Sequence, residues 1–125
     1  MHQKKKLRKK YFELRKRKYF DIDKEFFLPL FELIRLKAKK KFIKTALYYP
    51  SNFELNILKL LEFNNNLTKD ILLPVIGKNN HMNFFSWKKG DVLFVNEFGM
   101  LEPAKTQVKI PDVMFVPILA FDKEN

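Results

Sequence analysis

One apolar run constrains the fold of this chain more than any other feature. Residues 113–118, VMFVPI, form an almost unbroken series of apolar side chains. Runs of this kind are typical of a central strand that is covered on both faces, as in a parallel sheet packed between helices. The run therefore predicts an α/β protein.

Two helices are predicted ahead of the sheet. The first spans 3–19, where Leu7, Tyr11 and Leu14 recur at near-helical spacing. The second spans 24–40, and Pro29 marks either a kink in it or its true first turn. Residues 1–40 are thus a basic helical part of what we expect to be one domain of 125 residues.

The remaining part, 41–125, alternates as a parallel sheet requires. Its expected elements are strands over 42–49, 71–76 and 82–87, a helix over 52–63, and either a short strand or a loop over 91–98. Strand, helix and strand follow one another between 42 and 76, which predicts a right-handed βαβ unit. The predicted fold is a three-layer α/β domain with a mostly parallel sheet, preceded by two N-terminal helices.

The charge of the chain is concentrated at its N-terminal end. Residues 1–50 carry 17 Lys and Arg against 5 Asp and Glu, a net of +12, whereas residues 51–125 carry a net of −1. A phosphate-bearing partner is therefore expected to bind the helical part. Two other interpretations stay open: a solvated helix face, and an arm that binds nucleic acid. The arm would lack exposed aromatic side chains for base stacking.

Several classes of site are not expected from the composition. The chain has no cysteine, which rules out disulfides and thiolate metal sites and is compatible with a cytoplasmic location. His81 has no second histidine near it, so no metal site is expected within the chain. No stretch approaches the roughly 18 continuous apolar residues of a membrane span. No nucleophile–base pair is apparent, and no catalytic residue is assigned.

Lys4, Arg8 and Glu54 are the first candidate binding residues. Lys4 and Arg8 are four apart and share one helix face, where an arginine fork and a lysine charge can grip a phosphate chain. Glu54 follows a strand end, so its carboxylate is expected to face a crevice and to pair with the N–H donors of a heterocycle. The competing interpretations are a solvated face for the two cations and helix-dipole stabilisation for Glu54.

Met82 and Glu102 are the other two candidates. Met82 begins a strand, where it either packs in the core or lines a flat aromatic ligand. Glu102 precedes Pro103, which biases it toward an extended conformation that suits orientation for a ligand. A plain surface turn is the alternative for residues 98–103.

Taken together, these residues resemble the 5-formyltetrahydrofolate cyclo-ligase (methenyltetrahydrofolate synthetase) family. The matching segments occur in order along nearly the whole chain. They are Lys4-x-x-Leu7-Arg8, Ala46-Leu47-Tyr48-Tyr49 with Glu54 after it, Leu73-Pro74, Asn80-His81-Met82-Asn83-Phe84, Gly99-Met100-Leu101-Glu102-Pro103 and Val116-Pro117-x-x-Ala120-Phe121-Asp122.

This resemblance implies an ATP-dependent ligase of one-carbon metabolism. The family converts 5-formyltetrahydrofolate to 5,10-methenyltetrahydrofolate with release of ADP and phosphate, and Mg2+ accompanies ATP. By resemblance, Lys4 and Arg8 would contact ATP phosphates, and Glu54 and Met82 would line the folate site. Glu102 would lie beside the folate and ATP sites.

The resemblance covers only the N-terminal two thirds of the family's pattern. There, a Phe-Asp pair is followed within a few residues by an Arg-x-Gly-x-Gly-x-Gly-Tyr-Tyr-Asp segment that wraps the ATP phosphates and helps to hold Mg2+. That segment is absent from these 125 residues. We therefore expect a C-terminally truncated domain, inactive by itself, whose other half is lost or is a separate chain. A non-catalytic basic module that binds RNA or other polyanions is the alternative function.

Overall fold

A four-stranded sheet forms the centre of the computed structural model, which describes residues 2–38 and 42–124. The strands are β1 Lys44–Ala46, β2 Asp70–Ile76, β3 Met82–Ser86, β4 Phe94–Val95, β5 Leu101–Glu102 and β6 Val113–Met114. The strand order is β3-β2-β1-β6, and β4 and β5 form a separate two-stranded hairpin. β1 is parallel to both β2 and β6, while β3 is antiparallel to β2. The predicted α/β class and the mostly parallel sheet are confirmed.

Both predicted N-terminal helices are present. Helix α1 spans His2–Arg17. The second begins as a 3₁₀ helix, Lys24–Phe27, whose capping residue Asp23 accepts a hydrogen bond from the backbone N–H of Phe26 at 3.3 Å. It continues as α2, Leu28–Lys37, with Pro29 in the first turn, where a missing N–H costs nothing. Residues 39–40 of this predicted helix lie outside the described residues.

The predicted helix over 52–63 is wrong. Only Ile57–Glu62 is helical, as a 3₁₀ helix with Asn56 as its N-cap. The preceding residues Asn52 and Phe53 have φ angles of 51° and 61°, in the left-handed region. Two successive left-handed residues are incompatible with a right-handed helix. The segment after β1 is therefore a turn and a short 3₁₀ helix instead of a three-turn α-helix.

The prediction that residues 113–118 form a central strand is also wrong. Strand β6 is only Val113–Met114 and lies at one end of the described strand order. Met114, Val116 and Ile118 are exposed. Pro117 lacks the N–H that a longer strand would need. The apolar run thus does contain a strand, but this strand lies at the edge of the sheet. No described strand pairs with its outer side.

Side chains are buried on both faces of the sheet: Ala46 and Leu72 on one, and a larger cluster on the other. The 3₁₀ helices pack there against alternate residues of β2, and the buried cluster is Ile22, Phe27, Leu47, Ile57, Leu60, Ile71, Leu73 and Trp87. Thr45 pairs in register with Ile71. It is only 1% exposed, and its hydroxyl has no hydrogen-bond partner among the described residues. Burying a hydroxyl without a partner opposes folding.

Replacing Thr45 with valine is expected to stabilise the protein. Valine keeps the branched shape and removes the unpaired hydroxyl, so Thr45→Val should raise the free energy of unfolding by about 1 kcal/mol. Urea unfolding followed by circular dichroism measures the change.

Thr68→Val is the matched control for that measurement. The Thr68 hydroxyl donates to the Phe63 carbonyl at 2.8 Å and accepts from the Asn65 N–H at 3.1 Å. Its loss should lower the free energy of unfolding by about 1 kcal/mol or more. Equal destabilisation by both substitutions would contradict the assignment of Thr45 as unpaired.

Candidate functional site

A cavity of about 460 Å³ opens at the carboxyl edge of the parallel strands. Because β1 and β6 are parallel neighbours, the chain leaves both of them at this edge. The second half of α1 closes the cavity. The lining residues are Tyr11, Leu14, Arg15, Lys18, Tyr19, Phe20, Tyr48, Phe53, Glu54, Leu55 and 116–119. Crevices at the carboxyl ends of strands are the usual place for ligands in open α/β sheets.

Glu54 is the anchored acid of this cavity. Its Oε1 accepts hydrogen bonds from the Ser51 N–H at 2.9 Å and the Ser51 hydroxyl at 3.1 Å. The Glu54 N–H in turn donates to the Ser51 carbonyl at 3.0 Å. Its Oε2 makes no hydrogen bond to any other described residue. The carboxylate is thus oriented through one oxygen, while the other is not paired within the described protein.

The turn that carries Glu54 is strained. Asn52 tolerates the left-handed region, but a left-handed phenylalanine is uncommon and costs on the order of 1–3 kcal/mol. The Phe53 ring is held edge-on by Phe12 at 6.2 Å and by Tyr19 at 6.1 Å between ring centroids. These contacts with α1 and its C-terminal flank offset part of the strain, so α1 helps to fix the direction of Glu54.

Tyr48 stabilises the same turn through a hydrogen bond. Its hydroxyl donates to the Leu55 carbonyl at 2.8 Å. Burial, and secondly the negative charge of Glu54, raise the pKa of Tyr48 to about 12, while the positive charge of Arg15 acts in the opposite direction. The phenol therefore stays protonated at neutral pH. It ties the end of β1 to the backbone just after Glu54 and is no general base.

Arg15 and Lys18 place positive charge on the α1 wall of the cavity. The guanidinium carbon of Arg15 lies 5.8 Å from the centroid of the Phe12 ring. Its Nε is buried and has no hydrogen-bond partner among the described residues. The cavity thus combines a carboxylate and two cations on an otherwise largely apolar surface.

Of the residues proposed from sequence, only Glu54 lines this cavity. Lys4 and Arg8 lie on the exposed first half of α1, and Arg8 is about 10 Å along the helix axis from Arg15. Met82 starts β3 opposite Ile76, the last residue of β2, and so lies at the same edge of the sheet as the cavity. Met82 does not contribute to the cavity wall.

Glu102 lies on β5, in the extended conformation expected from the proline that follows it. The side-chain amide of Asn96 donates to its Oε2 at 3.4 Å. Asn96 also closes the hairpin loop, because its Oδ1 accepts from the N–H groups of Phe98 and Met100, both at 2.9 Å. Gly99 in that loop has φ 75°, which a side chain would disfavour. Glu102 is therefore held on a closed hairpin and does not line the cavity.

Sequence reasoning missed Arg15, Lys18 and Tyr48. A signal was present for the first two: Tyr11, Arg15 and Lys18 follow the i, i+4, i+7 spacing of a single helix face. Tyr48 belongs to a predicted strand and to a segment that matches the family, but neither pattern marks it as a site residue.

Two negative findings apply to residues 2–38 and 42–124. No helix in these ranges combines the length and the apolar character needed to cross a membrane. No three or more of their histidine, aspartate and glutamate side chains come together as a group that could hold a metal ion.

The fold and sequence match a solved structure, the 5,10-methenyltetrahydrofolate synthetase of Aquifex aeolicus determined by NMR. The TM-score is 0.62 at 27% sequence identity, and the match covers 97% of this chain. The chain is similar in fold and sequence to this synthetase over part of its length. It spans 63% of the length of the Aquifex chain. No family model matches the sequence, and no curated protein matches it.

This likeness confirms the family resemblance seen in the sequence and its partial length.

Tyr48 is expected to titrate late and to make stability depend on alkaline pH. Since its folded pKa of about 12 exceeds the ordinary value of 10.0, the folded state keeps the proton that the unfolded state releases. The stabilisation is present below pH 10 and is lost as the pH rises through 12. Phenolate absorbance titrations of the wild type and Tyr48→Phe, subtracted, isolate this group. A difference curve centred near 10 would contradict the burial of the Tyr48 phenol.

Proposed function

We propose that this chain carries the substrate-binding front of an ATP-dependent cytoplasmic enzyme that converts 5-formyltetrahydrofolate to 5,10-methenyltetrahydrofolate. The observation that supports it most is the position of Glu54. The family resemblance assigns this acid to the folate site, and its side chain lies anchored in the largely apolar cavity at the carboxyl edge of the sheet. Apolar cavities with a few oriented polar groups are typical sites for small molecules.

In this proposal Glu54 recognises the heterocycle of the folate. A fixed carboxylate accepts hydrogen bonds from the N–H groups of a reduced pterin, and charge-assisted bonds of this kind are strong. Tyr48 and Phe53 bring aromatic surface to the same cavity, which suits a flat ring. Met82 and Glu102 are proposed to approach the ligand from neighbouring parts of the sheet and the hairpin.

Lys4 and Arg8 are proposed to bind the ATP phosphates. Both are exposed on α1, and neither forms an ion pair with another described residue. ATP supplies the phosphoryl group that activates the formyl oxygen for ring closure. Mg2+ often binds through one or two carboxylates plus substrate phosphates. The described residues do not fit a metal cage of their own, so Mg2+ is proposed to arrive with ATP.

Turnover is proposed only for a protein that also supplies the family's glycine-rich phosphate segment. These 125 residues span 63% of the Aquifex enzyme, and the phosphate-wrapping sequence is not among them. The second half, encoded with this chain or separately, would complete the ATP site. The 125 residues alone are expected to bind ligand without forming methenyltetrahydrofolate.

Glu54→Gln is expected to weaken binding of 5-formyltetrahydrofolate about tenfold or more. The amide keeps the shape and an oxygen for the Ser51 N–H, but it loses the charge that strengthens bonds to the pterin N–H groups. Isothermal titration calorimetry on the 125-residue chain measures the affinity.

Glu13→Gln is the matched control for this experiment. Glu13 is exposed on α1, does not line the cavity, and its replacement changes the net charge by the same amount. Equal affinities of the Glu54→Gln and Glu13→Gln variants would remove Glu54 from the folate site.

One observation favours a second function, the binding of RNA or other polyanions. Every residue from 2 to 10 is exposed, six of them are Lys or Arg, and the first acid in α1 is Glu13. Cations at a helix N-terminus and at i, i+4 spacing repel the dipole and each other, so a polyanion would stabilise this half-helix.

Salt dependence distinguishes the two functions. If the basic half of α1 is a polyanion surface, affinity for a single-stranded RNA should fall steeply between 50 and 200 mM salt, because released counterions drive such binding. Affinity for 5-formyltetrahydrofolate in the cavity should change far less. Fluorescence anisotropy and calorimetry provide the two measurements. Absence of RNA binding at 50 mM salt would exclude the second function.

A further inference from the structure

Arg15 carries a buried donor that the described protein leaves unpaired. Its Nε is shielded from solvent and lacks a hydrogen-bond acceptor, while its side chain lines the cavity that holds Glu54. Buried donors are nearly always paired in folded proteins, and an unpaired one opposes folding. An acceptor supplied by a ligand would remove this penalty.

The guanidinium group is also held in place. It lies over the Phe12 ring at 5.8 Å, and Phe12 in turn contacts Phe53 edge-on at 6.2 Å. A guanidinium that packs on an aromatic ring loses less side-chain freedom on binding than a fully solvated one. Its fork of N–H donors matches two oxygens of a carboxylate or a phosphate.

The acid and the two cations of the cavity are not paired with one another. None of the ion pairs among the described residues joins Arg15 or Lys18 to Glu54. The Oε1 of Glu54 is instead bonded to Ser51. Lys18 lies three positions after Arg15, on the same face of the chain leaving α1, and lines the same cavity. One part of the wall therefore accepts hydrogen bonds, and another donates them with positive charge.

We propose that Arg15, with Lys18 beside it, binds an oxyanion in the cavity that also holds Glu54. This proposal rests on the function proposed above. The oxyanion is either a phosphate of the nucleotide or a carboxylate of the reduced folate. Arg15 is distinct from Lys4 and Arg8, which lie at least about 10 Å further along α1.

The test compares two methionine variants of the 125-residue chain. Arg15→Met and Arg17→Met remove one positive charge each from α1, but Arg17 is exposed and does not line the cavity. Calorimetric titrations use tripolyphosphate as one probe and 5-formyltetrahydrofolate as the other. The probe whose oxyanion contacts Arg15 should bind the Arg15→Met variant about tenfold or more weakly than the wild type. The Arg17→Met variant should retain most of the wild-type affinity for that probe. Arg15→Lys, which keeps the charge without the fork, should recover only part of the loss.

A stability measurement separates binding from a structural role. Methionine fills the apolar stem of Arg15 and removes the unpaired Nε, so urea unfolding of Arg15→Met should show no loss of stability. A clear loss would make Arg15 a structural residue and overturn the proposal. Equal weakening of both probes by Arg15→Met and Arg17→Met would do the same, because only overall charge would then matter.

The outcomes also separate this proposal from the proposed function. If 5-formyltetrahydrofolate binds and depends on Glu54 but neither probe depends on Arg15, the oxyanion site is wrong and the folate function stands. If tripolyphosphate binds through Arg15 and 5-formyltetrahydrofolate does not bind, the folate function is wrong and the oxyanion site stands. If neither probe binds the wild type, both proposals are overturned.

Discussion

Parallel pairing of β1 with β6 is the constraint on which the cavity depends. The Asp112 N–H donates to the Lys44 carbonyl, and the Lys44 N–H donates to the Asp112 carboxylate, both at 2.8 Å. Further along, the Phe115 N–H donates to the Ala46 carbonyl at 2.9 Å. These bonds fix where the chain leaves each strand, and therefore the distance across the cavity between Tyr48 and residues 116–119. A slip of one residue would turn every side chain to the opposite face.

Helix α1 forms the wall of the cavity that the sheet does not provide. Its second half contacts the turn after β1 through Phe12, and its first half makes no comparable burial, since all of residues 2–10 are exposed. One helix thus has two different roles along its length. Tertiary packing stabilises the end that faces the cavity, while the basic end is open to an anionic partner. The positive charge of the chain is thus concentrated on residues 2–10, which form no ion pair with another described residue.

Periodicity predicted the elements whose conformation is local. The predicted bounds of β2, β3 and α1 agree with the structure to within one or two residues. Their apolar residues recur with the periods of a strand or a helix, which sequence alone reveals. The turn at Asn52 and Phe53 was not predictable in this way, because contacts with Phe12 and Tyr19, distant in sequence, stabilise its left-handed backbone. The edge position of β6 likewise depends on which strands pair, and an apolar run does not encode that.

The candidate site shows the same division. Glu54 was identified because it follows a strand end, even though the expected helix around it is absent. Arg15 and Lys18 were missed because α1 and its C-terminal flank carry many cations. Helical spacing places these two on one face with Tyr11, but only the packed structure shows that this face lines the cavity. Family motifs identify single residues. The cavity is lined by several segments of the chain, and some of its lining residues lie outside those motifs.

The separation of Lys44 and Asp112 has a consequence for how the protein folds. Their hydrogen bond joins residues 68 positions apart, so the chain must close a long loop before β6 can pair with β1. Contacts of this range are slow to form and are commonly gained after local helices and hairpins. The hairpin of β2 and β3 has a short connection and needs no such closure. The cavity therefore belongs to the late part of folding, and a chain emerging from the ribosome lacks it until residues 113–119 are available.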